Sequence, residues 1–454
     1  MQGSQIFHRK PKLSRFFRDC IGQIITVIGL ISTLPIGATA QISRNKGLPD
    51  GRLLNVIEHR AFLFFWQQSS PKTGLTLDRA SNVKPYKRFT IASIASTGYA
   101  LASLPIAVKH HWISDKEAYQ RALNTLTFVE NSLPSVHGWY YHFVDINTGV
   151  RQWKCEVSSI DTALLLQGAL IDSAFWPHST VQRLADKLYS NIDWTWMRTN
   201  GGVDPQKMVL SMGWHPETGF IHANWDSYCE LMTLLLPALG SPHNRPPAEM
   251  WKAWKRPPVS YKDLTTLAGG PIFIHEMAQG FYNFSNKRDN MGWNYFVSAR
   301  NGILINREFC IANAHKFPGL GPNCWGLNAS DAPDGYNAYG APGGPIDGTV
   351  SPTGAIAALE TSPTLATDAA NYLYTKYHDD AWGRYGFADA INPSRHWFDT
   401  DVIGIDLGMA MLAIENARTG LIWRLEAELP STKMAFKRAG FKPSTNSILF
   451  VPQH

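Results

Sequence analysis

Six carboxylates near tryptophan-containing loops are the residues whose types and spacing could do chemistry: Glu156, Asp161, Glu230, Asp399, Asp401 and Asp406. Two carboxyl groups, one protonated and one ionised, are what the cleavage of a glycosidic bond requires. Glu230 is the leading candidate for the protonated group, because it directly precedes the apolar run Leu231–Leu236. Partial burial there would raise its pKa. The alternative is a charge that only stabilises the start of a helix.

Asp161 and Asp406 each follow an isoleucine and precede an apolar helix, so one edge of each carboxylate is expected to be buried. Either could orient a water molecule, or hold a sugar hydroxyl while it stays ionised. A structural helix cap is an equally good interpretation of both residues. Glu156 lies more than a helical turn before Asp161, so a loop at Ser158-Ser159 would have to bring the two carboxylates together.

Other catalytic patterns do not occur in the sequence. It contains no G-x-S-x-G elbow, no P-loop and no H-E-x-x-H motif, and His275-Glu276 lacks a second histidine. Asn328–Gly335 is arranged like a calcium loop but contributes only two aspartates, Asp331 and Asp334. We therefore expect neither a metal ion nor a cofactor.

The elements that must position these residues are helices joined by loops that resemble one another. Loops beginning at Gly138, Gly213 and Gly383 share an order of glycine and aromatic residues, tryptophan, carboxylate and apolar helix. Such repetition predicts αα-hairpins packed side by side. The length suits an all-α (α/α)6 toroid of about twelve helices, with a loop-built substrate cleft at one end. A plain helical array whose acids merely cap helices is the alternative.

The apolar spacing and the capping residues place the helices. Two of them are predicted to begin at Asp50 and at the capping box of Ser114 and Glu117. The others are predicted over Thr90–Val108, Ser159–Ala174, Thr180–Asn191, Ser227–Leu239, Asn290–Ile305, Ala355–Leu359, Leu365–Tyr377 and Asp406–Thr419.

The first 40 residues have the pattern of a secretory signal peptide. Basic residues up to Arg18 are followed by an apolar run from Ile21 to Ile36 and by Ala38-Thr39-Ala40. An uncleaved membrane anchor is the alternative. Residues 41–454 are then predicted to be a single domain of a periplasmic or secreted monomer, with no membrane contact after cleavage.

Charge and cysteine usage narrow the functional class. The formal net charge of +6 comes largely from the basic head of the leader, and the nearly balanced remainder argues against a nucleic-acid partner. The cysteines beyond the leader are Cys155, Cys229, Cys310 and Cys324, and no C-x-x-C pair suggests zinc. Export would permit a Cys310–Cys324 disulfide, and free thiols are an equally good interpretation.

Aromatic residues make up 12% of the chain and include 16 tryptophans. Many of them stand beside Gly, Asp and Asn in loops rather than in apolar runs. A tryptophan face stacks on a sugar ring while neighbouring polar groups bond the hydroxyls. Packing in the core is the alternative, and we expect it for about half of these tryptophans.

Several segments together resemble the glucoamylase-like family, glycoside hydrolase family 144. They are residues 156–163, 228–230 with 239–242, 325–336, 347–353, and 405–408 with 414–416. The resemblance implies an (α/α)6 barrel that hydrolyses β-1,2-glucan, usually in endo mode and with inversion at the anomeric carbon. It places the family's acid on Glu230 and its other essential acidic positions on Asp161 and Asp406, without deciding which of these is the base.

The loops and the resemblance together predict the substrate-binding residues, which are Trp153, Glu156, Trp225, His275, Trp325, Asp331, Tyr336, Trp397 and Asp401. Two departures from the family pattern bear on specificity. Residues 275–280 lack the second histidine of a His-Gln-x-x-His pattern, and Leu407 replaces a glutamine. Both positions are expected to line the sugar groove, so the chain-length preference or even the linkage could differ.

Four other activities stay open at this level. Relatives of this wider group release disaccharides such as sophorose from chain ends, or transfer sugars rather than hydrolyse. A polysaccharide lyase would need cationic residues to neutralise a uronate, and the loops offer few besides Arg151 and Arg395. A non-catalytic glycan-binding protein would keep the tryptophan loops but would not need three acids together.

Overall fold

The computed structural model describes residues 50–85, 89–198, 208–445 and 449, which belong to one compact unit. The predicted signal peptide, residues 1–40, lies outside these ranges. Within them, every helix is too short or too polar to span a bilayer.

The helices account for most of the regular structure in this part of the chain. They are α1 (Asp50–Gln67), α2 (Ile94–Lys109), α3 (Asp115–Asn131), α4 (Ser159–Phe175), α5 (Thr180–Asn191), α6 (Met232–Gly240), α7 (Met250–Ala253), α8 (Phe273–Phe281), α9 (Tyr295–Asn313), α10 (Pro352–Ala357), α11 (Pro363–Ala381), α12 (Gly404–Arg418), α13 (Leu421–Glu428) and α14 (Pro430–Ala439).

Short strands fill the connections between the helices. They are β1 (Arg79–Ser81), β2 (Ile91–Ser93), β3 (Ser135–Val136), β4 (Trp139–Tyr140), β5 (Phe143–Asp145), β6 (Val157–Ser158), β7 (Gly213–His215), β8 (Gly219–Phe220), β9 (Val259–Tyr261), β10 (Leu264–Thr266), β11 (Lys287–Arg288), β12 (Ala329–Ser330), β13 (Asn337–Ala338), β14 (Trp382–Gly383), β15 (Gly386–Phe387), β16 (Ile391–Asn392), β17 (Trp397–Phe398), β18 (Asp401–Ile403) and β19 (Lys442–Pro443).

The even-numbered helices α2 to α12 form the inner ring. Almost all of their residues are buried. Each helix contacts the next one, from α2 through α4, α6, α8 and α10 to α12, and α12 returns to α2. Because a helix that is apolar on all sides must be enclosed by others, this closed ring is the core of the fold.

Helices α1, α3, α5, α9, α11 and α14 lie outside the ring, each against at least one inner helix. They are half-exposed and carry one apolar face, as α3 does with Ala118, Ala122, Leu126 and Val129. Helix α14 packs against α6 and takes the outer position that α7, with four residues, is too short to fill. The described helices thus confirm the predicted (α/α)6 toroid.

Serine caps place the beginnings of the inner helices directly after short strands. The side chains of Ser93, Ser158 and Ser351 accept hydrogen bonds from backbone amides in the first turns of α2, α4 and α10. Strand pairs β1–β18, β2–β5 and β6–β7–β8 join the loops around these helix beginnings. The loops that carry the candidate residues are therefore held at the N-terminal ends of the inner helices.

Most of the predicted helices are found, some with shifted ends. Helix α5 has the predicted bounds, and the capping box of Ser114 and Glu117 is present. The helix predicted to begin at Ser227 begins only at Met232, because the backbone amide of Tyr228 bonds to the carbonyl of Lys255 instead. Glu230 consequently lies before the helix rather than in it. Helices α7, α8, α13 and α14 were not predicted.

Cys310 and Cys324 are free, buried thiols. The disulfide hypothesis for this pair is therefore wrong in this structure. Burial raises the pKa of both thiols, which keeps them in the unreactive protonated form.

Candidate active site

Glu230 lies in the turn that leads into α6, on the inner side of the ring. Burial and, to a smaller extent, the negative charge of nearby Asp161 raise the pKa of Glu230 to about 7. A carboxyl with this pKa is largely protonated in slightly acidic solution. It can therefore donate a proton at a pH where an exposed carboxylate could not.

His142 lies between two carboxylates. Its Nδ1 is 2.9 Å from Oε1 of Glu156 and its Nε2 is 3.6 Å from Oδ1 of Asp161. Burial lowers the pKa of His142, but the charges of Asp161 and Glu156 outweigh burial and raise it to about 9. The ring is therefore an imidazolium at neutral pH and bridges both carboxylates.

Asp161 is the more accessible of these two carboxylates. Ser158, the cap of α4, donates its Oγ–H to Oδ2 of Asp161 at 2.5 Å. Burial raises the pKa of Asp161, and the His142 charge and the Ser158 hydrogen bond oppose that shift. Glu156 is 1% exposed. The side chain of Glu156 is shielded and orients His142, and its contact with substrate stays a prediction.

Asp406 occupies the first turn of α12. Its Oδ1 accepts a hydrogen bond of 3.2 Å from Nδ2 of Asn328. Burial raises the pKa of Asp406 to about 7. Asp389 lies beside it, and burial together with the charge of Asp406 raises the pKa of Asp389 well above the usual range.

Arg79 joins the surrounding loops. It donates from Nη1 to Oδ2 of Asp331 at 2.7 Å and from Nε to Oδ2 of Asp78 at 3.2 Å. The pairing of β1 with β18 sets Ser81 opposite Asp401. Asp401 is buried at this point, so it belongs to the floor of the site rather than to its open surface.

The three predicted catalytic carboxylates therefore meet in one site. The charge of Asp161 acts on Glu230, and that of Asp78 acts on both Asp161 and Asp406. Asp78 therefore lies near both Asp161 and Asp406, which stand in the first turns of α4 and α12. Such a set of buried and partly ionised carboxyl groups is suited to acid–base chemistry.

Accessible aromatic residues adjoin this site. Trp153 is 38% exposed, and its ring lies 5.1 Å from that of Phe143, which stacks on His142. Trp397 is partly exposed on β17. Tyr336 is partly exposed as well, and burial together with the charges of Asp406 and Asp389 raises its pKa. The structure thus offers sugar-stacking surfaces beside Glu156 and Asp161 and beside Asp389 and Asp406.

Three predicted binding residues are packed inside the protein. Trp325 is fully buried. His275 is buried within α8 so tightly that a Cβ on Gly302 would lie 2.5 Å from its ring, and burial lowers its pKa to about 4. Trp225 is buried and donates from Nε1 to Oγ of Ser159 at 2.8 Å. The surfaces of these three side chains are used in packing in this structure, and their contact with substrate stays a prediction.

The two departures from the family pattern also lie in the interior. His275 and Leu407 are each 3% exposed, and Gln279 is 1% exposed. That residues 275–280 and Leu407 line the sugar groove stays a prediction. These positions contribute to the packing of α8 and α12.

Four polar residues of the site were missed from the sequence: Asp78, Arg79, His142 and Asp389. His142 and Asp389 stand in the two similar glycine and aromatic loops that begin at Gly138 and Gly383. Their presence in those loops is the signal that the sequence offers, although the two residues do not occupy equivalent positions. Asp78 and Arg79 stand in no recurring pattern. The partner of Arg79, Asp331, lies 252 residues away in the sequence, so the sequence around Arg79 gives no sign of the contact.

Comparison with known proteins identifies related chains. Residues 222–430 match the family model described as putative glucoamylase. An exo-β-1,2-glucooligosaccharide sophorohydrolase (non-reducing end) from Parabacteroides distasonis is 24% identical over 480 residues, covering 95% of this chain and 64% of that protein. The chain thus spans less than two thirds of this curated relative.

Solved structures share the fold. An endo-β-1,2-glucanase from Chitinophaga pinensis in complex with sophorotriose and glucose has a TM-score of 0.80 at 24% identity, over 87% of this chain and 99% of that one. A putative glucoamylase from Bacteroides fragilis has a TM-score of 0.79 at 27% identity, over 89% of this chain and 100% of that one. The ring described above is therefore the architecture of these proteins.

Proposed function

Since the chain belongs to the glucoamylase-like family, glycoside hydrolase family 144, we propose that it is an enzyme that hydrolyses β-1,2-linked glucan. The observation that carries the proposal is the position of Glu230, whose pKa is raised to about 7, beside Asp161. Two carboxyl groups with different protonation states are the requirement for glycoside hydrolysis. The relatives named for such chemistry act on β-1,2-linked substrates.

Glu230 is the general acid in this proposal. Its protonated carboxyl gives a proton to the oxygen that leaves the anomeric carbon. Asp161 is the better base of the two remaining candidates, because His142 and Ser158 both stabilise its ionised form. It would take a proton from the attacking water on the opposite face of the sugar, which inverts the anomeric configuration.

Asp406 then binds substrate rather than water. Its carboxyl accepts a hydrogen bond from Asn328 and lies among other aspartates, where a sugar hydroxyl can bond to it. Trp153 and Trp397 supply ring faces on which neighbouring glucose units stack. Stacking positions the chain, and the carboxyl groups do the chemistry.

An endo mode is the first candidate, because the Chitinophaga enzyme is an endo-β-1,2-glucanase and aligns over 99% of its length. Release of sophorose from chain ends is the second candidate, because the Parabacteroides relative is an exo-acting sophorohydrolase. A lyase is disfavoured, since Arg79, Arg151 and Arg395 are each already bonded to a carboxylate.

The proposal also includes secretion directed by residues 1–40, which N-terminal sequencing of the mature protein tests. It further includes a monomeric state, which the mass of the protein in solution tests.

The experiment is to incubate the purified protein with linear β-1,2-glucan, and with β-1,3- and β-1,4-glucans in parallel, and to separate products by size over time. An early ladder of β-1,2-oligosaccharides is expected, whereas sophorose alone would establish the exo mode. No product from β-1,2-glucan by a folded protein would refute the proposed substrate.

Glu230→Gln is the matched variant, because an amide of the same shape cannot give up a proton. We expect it to fold normally and to lose activity by about a hundredfold or more. Glu249→Gln changes an exposed glutamate and is expected to have no effect. If Glu230→Gln retained more than about a tenth of the activity, Glu230 would not be the acid.

A further inference from the structure

Three aspartates from separate loops converge beside Asp406. Asp331 directly follows β12, Asp389 lies between β15 and β16, and Asp399 directly follows β17. One carboxylate oxygen of each lies within 4.8 Å of the corresponding oxygen of the other two. These three residues are called the aspartate triad below.

One oxygen of Asp389 and one of Asp399 are held by backbone amides. Oδ2 of Asp389 accepts from the amide of Asp331 at 2.9 Å. Oδ1 of Asp399 accepts from the amides of Thr400 and Asp401 at 2.7 and 3.2 Å. The orientation of both carboxylates is therefore set by the main chain.

Their other oxygens have no amide, hydroxyl or cationic donor. The side chain in hydrogen-bond contact with Asp389 is another carboxyl, that of Asp406. Asp389 is 1% exposed, and its Oδ1 is buried without an amide, hydroxyl or cationic donor within the described part of the chain. The same holds for Oδ2 of Asp399. Buried polar atoms are almost always partnered, so these two oxygens indicate that the triad is completed by something outside the polypeptide.

Positive charge around the triad is scarce. Among the described residues, Arg79 is the cation bonded to it, and Arg79 also pairs with Asp78. Asp401 and Asp406 add further carboxylates nearby. Burying several carboxylates against one guanidinium is costly, and a divalent cation would remove most of that cost.

Two other clusters of possible ligands also contain a buried carboxylate oxygen without a partner, Oε1 of Glu58 and Oε2 of Glu156, but each of them includes a histidine between its carboxylates. In the group of Glu58, His110 and Glu415, the guanidinium of Arg418 is already bonded to Glu58. In the group of His142, Glu156 and Asp161, the imidazolium already bridges both carboxylates. In the aspartate triad Arg79 bonds to Asp331 alone, and Asp389 and Asp399 have no bonded cation among the described residues.

We propose that the aspartate triad binds one Ca²⁺ ion, which ties the loop after β12 to the β16–β17 hairpin next to Asp406. Ca²⁺ binds oxygens at about 2.3–2.6 Å, so two ligands of one ion are at most about 5 Å apart. An all-carboxylate set favours a hard cation over zinc or copper. Irregular loop ligands suit the flexible coordination of Ca²⁺ better than the strict octahedron of Mg²⁺. The sequence-based expectation of no metal considered Asp331 and Asp334 as possible calcium ligands, but not Asp389 and Asp399.

The test is direct and does not depend on the proposed enzymatic activity. The full protein is treated with a chelator, freed of it, and titrated with CaCl₂ by calorimetry. Its thermal unfolding is then followed without Ca²⁺ and with a free Ca²⁺ concentration of about 100 times the measured dissociation constant. We expect one ion per chain and a rise in Tm of about 3 °C or more.

Asp399→Asn keeps the amide-accepting oxygen and removes the charge, so it is expected to abolish binding and the rise in Tm. Asp334→Asn is the control, because Asp334 lies on the same loop as Asp331 but faces solvent and pairs with Arg395. This variant is expected to bind Ca²⁺ as the parent does. If the unmodified protein shows no heat and no change in Tm, the proposal is overturned and the carboxylates share protons instead. A response to MgCl₂ but not to CaCl₂ would overturn the choice of Ca²⁺.

Discussion

Nδ1 of His142 and Oε1 of Glu156 form a hydrogen-bonded ion pair of 2.9 Å. Burial acts to raise the pKa of Glu156, but the charge and the hydrogen bond of His142 outweigh it and lower that pKa. Glu156 therefore stays ionised and fixes the orientation of His142. Since the other ring nitrogen faces Asp161, Glu156 influences Asp161 through His142 rather than through substrate.

The alkaline limit of activity is expected to reflect Glu230. Its pKa is raised to about 7, so the protonated form needed by a general acid is present below pH 7 and lost above it. We expect kcat to fall tenfold per pH unit well above this value. The measurement is kcat on β-1,2-glucan from pH 4 to 9, and a plateau that extends to pH 9 would argue against Glu230 as the acid.

His142→Gln is expected to shift the acid limit of activity to higher pH. The positive charge of His142 lowers the pKa of both Asp161 and Glu156, so its removal leaves Asp161 protonated over a wider range. The variant should therefore lose more activity at pH 5 than at pH 8. Full pH profiles of the variant and of His243→Gln, which changes an exposed histidine, provide the comparison.

An equal loss for His142→Gln at all pH values would contradict this role. It would mean that His142 supports the structure of the site without setting the protonation state of Asp161. Far-UV circular dichroism separates that outcome from unfolding.

Two tryptophans that look alike in the sequence are expected to respond differently to substitution. Trp153→Ala removes an exposed ring beside the site and should raise KM several-fold with little change in stability. Trp325→Ala removes a fully buried ring and should reduce the free energy of unfolding by about 3–5 kcal/mol. Steady-state kinetics and urea unfolding of both variants test this. An unchanged KM for Trp153→Ala would assign that ring to packing.

This contrast shows where sequence reasoning reaches its limit. The capping box at Ser114 and helix α5 depend on neighbouring residues, and both were predicted correctly. Trp153 and Trp325 stand in loops of similar composition, and only the closed ring of helices buries one and exposes the other.

The same limit applies to the site. Glu230, Asp161 and Asp406 could be selected because each stands next to an apolar helix, a local feature. Arg79 could not, because its partner Asp331 is 252 residues away and nothing near Arg79 indicates that contact. Residues 275–280 are a similar case, since they make up most of α8 and the sequence does not show that their side chains are buried within the ring.

The closest approach of α2 and α4 allows a final prediction about the ring itself. A Cβ on Gly98 would lie 2.2 Å from the carbonyl oxygen of Leu164, and one on Gly168 would lie 2.0 Å from that of Gly98. These obstacles are backbone atoms, so Gly98→Ala can be accommodated only if the two helices move apart. We expect a loss of about 2–3 kcal/mol in unfolding free energy, measured by urea denaturation. Gly51→Ala, in open space on α1, is the matched control and should be neutral or stabilising by up to about 1 kcal/mol. Equal stability of the two variants would show that the α2–α4 contact tolerates a wider separation than the ring implies.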